Sequence, residues 1–125
     1  MSRKILVCDD APDIVRDVVE LLLDHGYEVL QAFGGREAIE TLKRQAIDLL
    51  LLDLQMPSVD GFDVLEYVQE HRQHLPVILL SGMRLDDIQS SMRRLSSGTL
   101  PPLLLKPVDP VELLDMVELK LEAIC

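Results

Sequence analysis

Aromatic residues are scarce: the chain has Tyr27, Tyr67, Phe33 and Phe62, and no tryptophan. A core made from this sequence must therefore be aliphatic, filled by Leu, Val and Ile. Cysteine is nearly absent. Cys8 and Cys125 lie at opposite ends, make no CxxC pair and offer no disulfide framework. Cys8 reads as a small buried residue and Cys125 as a terminal thiol. Basic residues are the minority, 12 against 22 acidic, for a net charge of −10. Such a surface repels nucleic acid and anionic membranes, and it favours basic partners and divalent cations. No apolar run approaches the ~18 residues of a membrane-spanning helix, so no membrane partner is expected. The apolar stretch behind Arg3 and Lys4, Ile5 to Cys8, is too short for a secretory leader, and a cytoplasmic location is expected. Internal repeats, low-complexity stretches and interdomain linkers are missing as well.

What remains is globular: 125 residues, 48% hydrophobic and 27% charged, the size of one domain over residues 1–125. Short apolar runs alternate with longer helical patterns. Strands are expected at Lys4 to Cys8, Glu28 to Phe33, Ile47 to Leu52, Val77 to Leu80 and Leu103 to Leu105. Helices are expected from about Asp13 to Gly26, Arg36 to Gln45, Phe62 to Arg72, Leu85 to Leu95, and Pro110 nearly to Cys125. The strand runs read as apolar throughout, which marks strands buried on both faces of a parallel sheet. Right-handed crossovers then give an α/β fold, a (βα)5 three-layer sandwich.

In an open parallel sheet, ligands bind beyond the carboxyl ends of the strands. The first strand ends in Asp9-Asp10, the third in Asp53, the fourth in Ser81 and the fifth in Lys106-Pro107. With a strand order of 2-1-3-4-5, strands 1 and 3 are neighbours about 4.8 Å apart. Asp9, Asp10 and Asp53 then share one pocket, with Ser81 and Lys106 beside it. Three carboxylates this close repel unless something positive sits among them. A hard divalent cation answers that need, because Mg²⁺ takes one or two carboxylates, keeps waters and completes its shell with phosphate. Lys106 adds positive charge and Ser81 a hydroxyl donor, so the constellation suits a phosphoryl group. Asp53, at the end of the central strand, is the candidate nucleophile.

These residues resemble the receiver domain of two-component response regulators, the CheY-like family. The resemblance covers the whole chain and rests on Asp9-Asp10, on Asp53-Leu54-Gln55-Met56-Pro57 with Gly61, on Ser81-Gly82, and on Lys106-Pro107. It implies a flavodoxin-like fold and a signalling phosphoacceptor that is no metabolic enzyme. It implies that Asp53 takes a phosphoryl group from a phosphohistidine on a sensor histidine kinase or phosphotransfer protein. It implies that Asp10, Asp53 and the main-chain carbonyl of Gln55 hold Mg²⁺ (or Mn²⁺), with Asp9 acting mainly through water. Ser81 and Lys106 would meet the phosphoryl oxygens, and the Lys106–Pro107 bond would be cis. The chain departs from the family at Leu103, where members usually carry Tyr or Phe as a switch residue. Ser81 stands where Thr is commoner. By the same resemblance, Gln55 and Met83, two residues after Asp53 and Ser81, would border the route of the attacking water.

Other groups read more plainly. His71 and His74 are three apart on a helix and are expected to be solvated; His25 sits near a helix C-terminus. The run Arg84, Asp86, Asp87, Arg93 and Arg94 is expected to be a solvated helix face. On the last helix, Leu113, Leu114, Val117, Leu121 and Ile124 share an arc that should face the sheet. Met116, Leu119 and Ala123 form a second apolar arc, expected to be exposed. The face made by the fourth helix, fifth strand and fifth helix could serve a dimer or an effector. The alternative to a switch is a receiver-like scaffold that binds partners without phosphorylation. An aspartyl phosphatase would usually carry an Asp where Gln55 stands, and a flavin carrier would need a Ser/Thr/Gly-rich loop where Asp9-Asp10 stand.

Overall fold

The structure, a computed structural model, describes residues 2–56, 59–82 and 101–122. The elements run β1 (Lys4–Cys8), α1 (Pro12–Asp24), β2 (Glu28–Ala32), α2 (Gly35–Arg44), β3 (Leu49–Asp53), α3 (Gly61–His71), β4 (Val77–Ser81), β5 (Leu103–Leu105) and α4 (Pro110–Glu122). The helix expected over Leu85 to Leu95, its charged run, Met83, Pro57 and the end of the chain from Ala123 lie outside the described residues.

The five strands form one parallel sheet in the order β2-β1-β3-β4-β5. The two faces follow from the period of two along each strand. Leu6, Cys8, Leu50, Leu52 and Leu79 turn to the side covered by α2 and α3. Ile5, Val7, Leu49, Leu51, Ile78, Leu80 and Leu104 turn to the side covered by α1 and α4. β1, β3 and β4 are therefore sequestered on both faces, and each buried Leu of β3 contributes roughly 2 kcal/mol. The edge strands differ from the expectation of uniformly apolar runs. In β2, Glu28 and Gln31 are exposed, and in β5, Leu105 is 61% exposed.

Helix ends explain the boundaries. Pro12 opens α1, where its missing N–H costs nothing. Gly26 closes it with φ of 87°, a conformation that only glycine enters freely. Asp60 and Asp63 form a reciprocal capping box that starts α3 one residue before Phe62, with both hydrogen bonds at 3.0 Å. β3 begins at Leu49 instead of Ile47. Asp48 is occupied just ahead of the strand: its N–H donates to the Lys4 carbonyl at 2.8 Å, and its carboxylate accepts from the Lys4 N–H at 2.7 Å. On α4, Leu113, Val117 and Leu121 are buried as expected and Leu119 is exposed. Met116 corrects the expectation of an exposed second stripe, because it is half-buried against the α1 side of the core. Among the described residues, no helix is long and apolar enough to cross a membrane.

Candidate functional site

Strand register builds the site. Cys8 pairs with Leu52 across β1 and β3, so the residues that follow, Asp9 and Asp53, emerge side by side. Leu80 pairs with Asp53 and Leu105 with Ser81, which brings Ser81 and then Lys106 to the same edge. Backbone bonds carry the ladder past the strand ends: the Leu54 N–H donates to the Leu80 carbonyl at 3.1 Å, and the Lys106 N–H to the Ser81 carbonyl at 2.9 Å. The Lys106–Pro107 peptide is cis.

Asp9, Asp53 and Ser81 are the buried polar residues of the described chain, at 0, 1 and 0% exposure. Asp10, next in sequence, is exposed. One carboxylate oxygen from each of Asp9, Asp10 and Asp53 lies within 4.8 Å of the others. Lys106 reaches into this group. Its Nζ is 2.9 Å from Asp9 Oδ2 and 3.3 Å from Asp53 Oδ1. The Asp9 Oδ2 atom is buried and has no aligned hydrogen bond among the described residues, so this ion pair is its compensation. The other Asp9 oxygen accepts the Ala11 N–H at 3.0 Å, and Asp53 Oδ1 also accepts the Gln55 N–H at 3.2 Å.

The electrostatics follow from burial. Asp53 is raised from 3.8 to about 6, chiefly because its charge is removed from water. The Gln55 N–H and the Lys106 ammonium work against that rise, and the Asp9 charge adds to it. Burial pulls Lys106 down, but the carboxylates of Asp9 and Asp53 outweigh it and hold the ammonium above its usual range. Among the described residues, the Lys106 ammonium pairs with two of the three clustered carboxylates. The remaining donor set is hard oxygen, the kind that suits Mg²⁺ or Mn²⁺.

Two supports have no chemistry of their own. Gly61 sits against the Asp53 backbone: a Cβ there would overlap the Asp53 carbonyl oxygen and come within 2.6 Å of Leu54 Cα. Cys8, directly before Asp9, is wholly buried, with Sγ 3.6 Å from both the Gly34 carbonyl and Met56 Sδ. Its thiol is pushed up to about 12, first by burial and then by Asp53 and Asp9. Sequence reasoning placed Cys8 in the core but missed its seat against Met56, a contact that only the fold supplies.

The response regulator receiver domain family matches residues 5–118. The chain belongs to that family. It is a receiver domain of the response-regulator type, a two-component signalling domain. Among relatives, the regulatory protein VanRc of Enterococcus gallinarum is 34% identical over 123 residues, 97% of this receiver domain and 51% of that protein. A 14.6 kDa protein of Leptolyngbya boryana is 40% identical over 118 residues, 91% of this chain and 86% of that one. The receiver domain thus spans about half the length of regulatory relatives such as VanRc. Its fold is that of a CheY-like receiver domain protein from Methanospirillum hungatei, with a TM-score of 0.89 and 24% identity over 98% of this chain and 96% of that one. In this receiver domain, Leu103, where the resemblance led to the expectation of an aromatic ring, packs half-buried on the core under α2 and α3.

Proposed function

We propose that this receiver domain is a Mg²⁺-dependent phosphoacceptor switch, with Asp53 as the residue phosphorylated. The observation that carries the reading is a nucleophilic carboxylate at 1% exposure, ringed by two more acids and tied to one lysine 3.3 Å away. A carboxylate buried at such a cost in solvation is ready for positive charge to arrive.

The donor is a phosphohistidine on a sensor kinase or phosphotransfer protein. A carboxylate oxygen of Asp53 attacks the phosphorus in line, the phosphorus–nitrogen bond breaks, and the electron pair leaves with the imidazole. An acyl phosphate on Asp53 results. Asp10, Asp53 and the Gln55 carbonyl would hold the cation, with Asp9 behind water, and the bound ion supplies positive charge to the phosphoryl oxygens. Lys106 turns its ammonium from the Asp53 carboxylate to a phosphoryl oxygen. Ser81 donates its hydroxyl to another, and that movement is what the face around β5 and α4 reads out. Leu103 repacks in this step where other receivers move an aromatic ring. The exposed Leu105, Val111 and Leu119 give that face an apolar surface for an effector or a second copy.

The bond chemistry provides the test. Borohydride reduces an acyl phosphate on aspartate to homoserine. After treatment with acetyl phosphate and Mg²⁺, peptide mapping is expected to find homoserine at position 53. Homoserine elsewhere would refute the assignment of Asp53, and none at all would leave the scaffold reading.

A further inference from the structure

Gly34 and Gly35 are adjacent at the start of α2, and the fold treats them differently. A Cβ on Gly34 would meet nothing within 4 Å. A Cβ on Gly35, which is buried, would overlap the Val59 carbonyl oxygen and lie 2.7 Å from Val59 Cγ1 and 2.9 Å from its carbonyl carbon. Two of those three atoms are backbone, so no rotamer change relieves the overlap. Val59 lies on the connection between β3 and α3. Gly61, the first residue of α3, follows Val59 by two positions. At Gly61 a bare Cα again abuts the Asp53 backbone. The connection is therefore seated twice by a missing side chain, once on the nucleophile's strand and once on the neighbouring helix.

We infer that Gly35 is a positioning residue for the acidic site: its bare Cα lets α2 close on Val59 and so, through Gly61, fixes the Asp53 backbone. This rests on the reading that the acidic cluster holds Mg²⁺. Gly35 has no side chain to offer a ligand and acts through Val59.

The matched pair of glycines supplies the test. Mg²⁺ would be titrated into the full chain, followed by amide NMR shifts, for the wild type, Gly34→Ala, Gly35→Ala and Val19→Ala. Val19 is a core residue of α1 and controls for general loss of stability. Gly34→Ala and Val19→Ala are expected to keep wild-type affinity. Gly35→Ala is expected to bind Mg²⁺ about tenfold more weakly, the scale seen when groups behind metal ligands are disturbed. If Gly35→Ala matches the wild type, the inference is overturned. If Gly35→Ala does not fold, Val59→Ala decides: removing the half-buried side chain loosens the seat and weakens Mg²⁺ binding, and unchanged affinity overturns the inference. A wild type that binds no Mg²⁺ refutes the metal reading itself, and this inference with it.

Discussion

Replacing Asp53 with Asn should make the apo domain more stable, and only at neutral to alkaline pH. The folded carboxyl titrates near 6 against 3.8 when unfolded, because burial penalises its charge. A folded-state value above the unfolded one means that the native state holds this proton more tightly. The contribution is therefore most favourable below the unfolded value and is lost as pH rises through about 6. By pH 8 the ionised Asp53 costs up to about 3 kcal/mol. The Asn side chain carries no such charge and keeps an oxygen to accept the Gln55 N–H. Asp53→Asn should gain about 1–3 kcal/mol at pH 8 and about nothing at pH 4. Urea unfolding in chelator, followed by far-UV circular dichroism because there is no Trp, measures it. Mg²⁺ should then stabilise the wild type more than the variant. A gain independent of pH, or a variant less stable at pH 8, would show that burial does not govern this carboxylate.

Three further expectations come from the same geometry. Lys106→Met removes the cation 2.9 Å from Asp9 and 3.3 Å from Asp53; the Asp53 titration, read by carboxyl carbon NMR, should move further up, and phosphorylation should be lost. Gly61→Ala forces a methyl against the Asp53 carbonyl and Leu54, so urea denaturation should show a loss of about 1–3 kcal/mol, with slower phosphorylation. Cys8 is wholly buried with its thiol pushed to about 12; peptide mapping after iodoacetamide at pH 8 should find it unmodified in the native state and alkylated in urea.

Much of this was legible before any coordinates. A run such as Leu49 to Asp53 tells its burial by composition, and the acids that close β1 and β3 declare themselves by ending apolar strands. Once the order β2-β1-β3-β4-β5 is accepted, the meeting of Asp9, Asp53 and Lys106 follows from register. Other features need the third dimension. The sequence does not reveal that Lys106 bridges two buried acids at once, since a lysine after an apolar run reads equally as surface. The unlike neighbourhoods of Gly34 and Gly35 depend on where Val59 comes to rest, a contact between segments far apart in the chain. Edge strands also mislead: β2 keeps Glu28 and Gln31 because only one side of its ladder is paired. Met116 falls on the outer arc by its helical angle, yet it lies half-buried against the core on the α1 side.

The most direct test of the phosphoacceptor reading is intact mass after incubation with acetyl phosphate, with and without Mg²⁺, for the wild type and Asp53→Asn. A single added phosphoryl group on the wild type is expected with Mg²⁺, none with chelator, and none on the variant. A wild type that gains no mass with Mg²⁺, or a variant that gains as much, would contradict it.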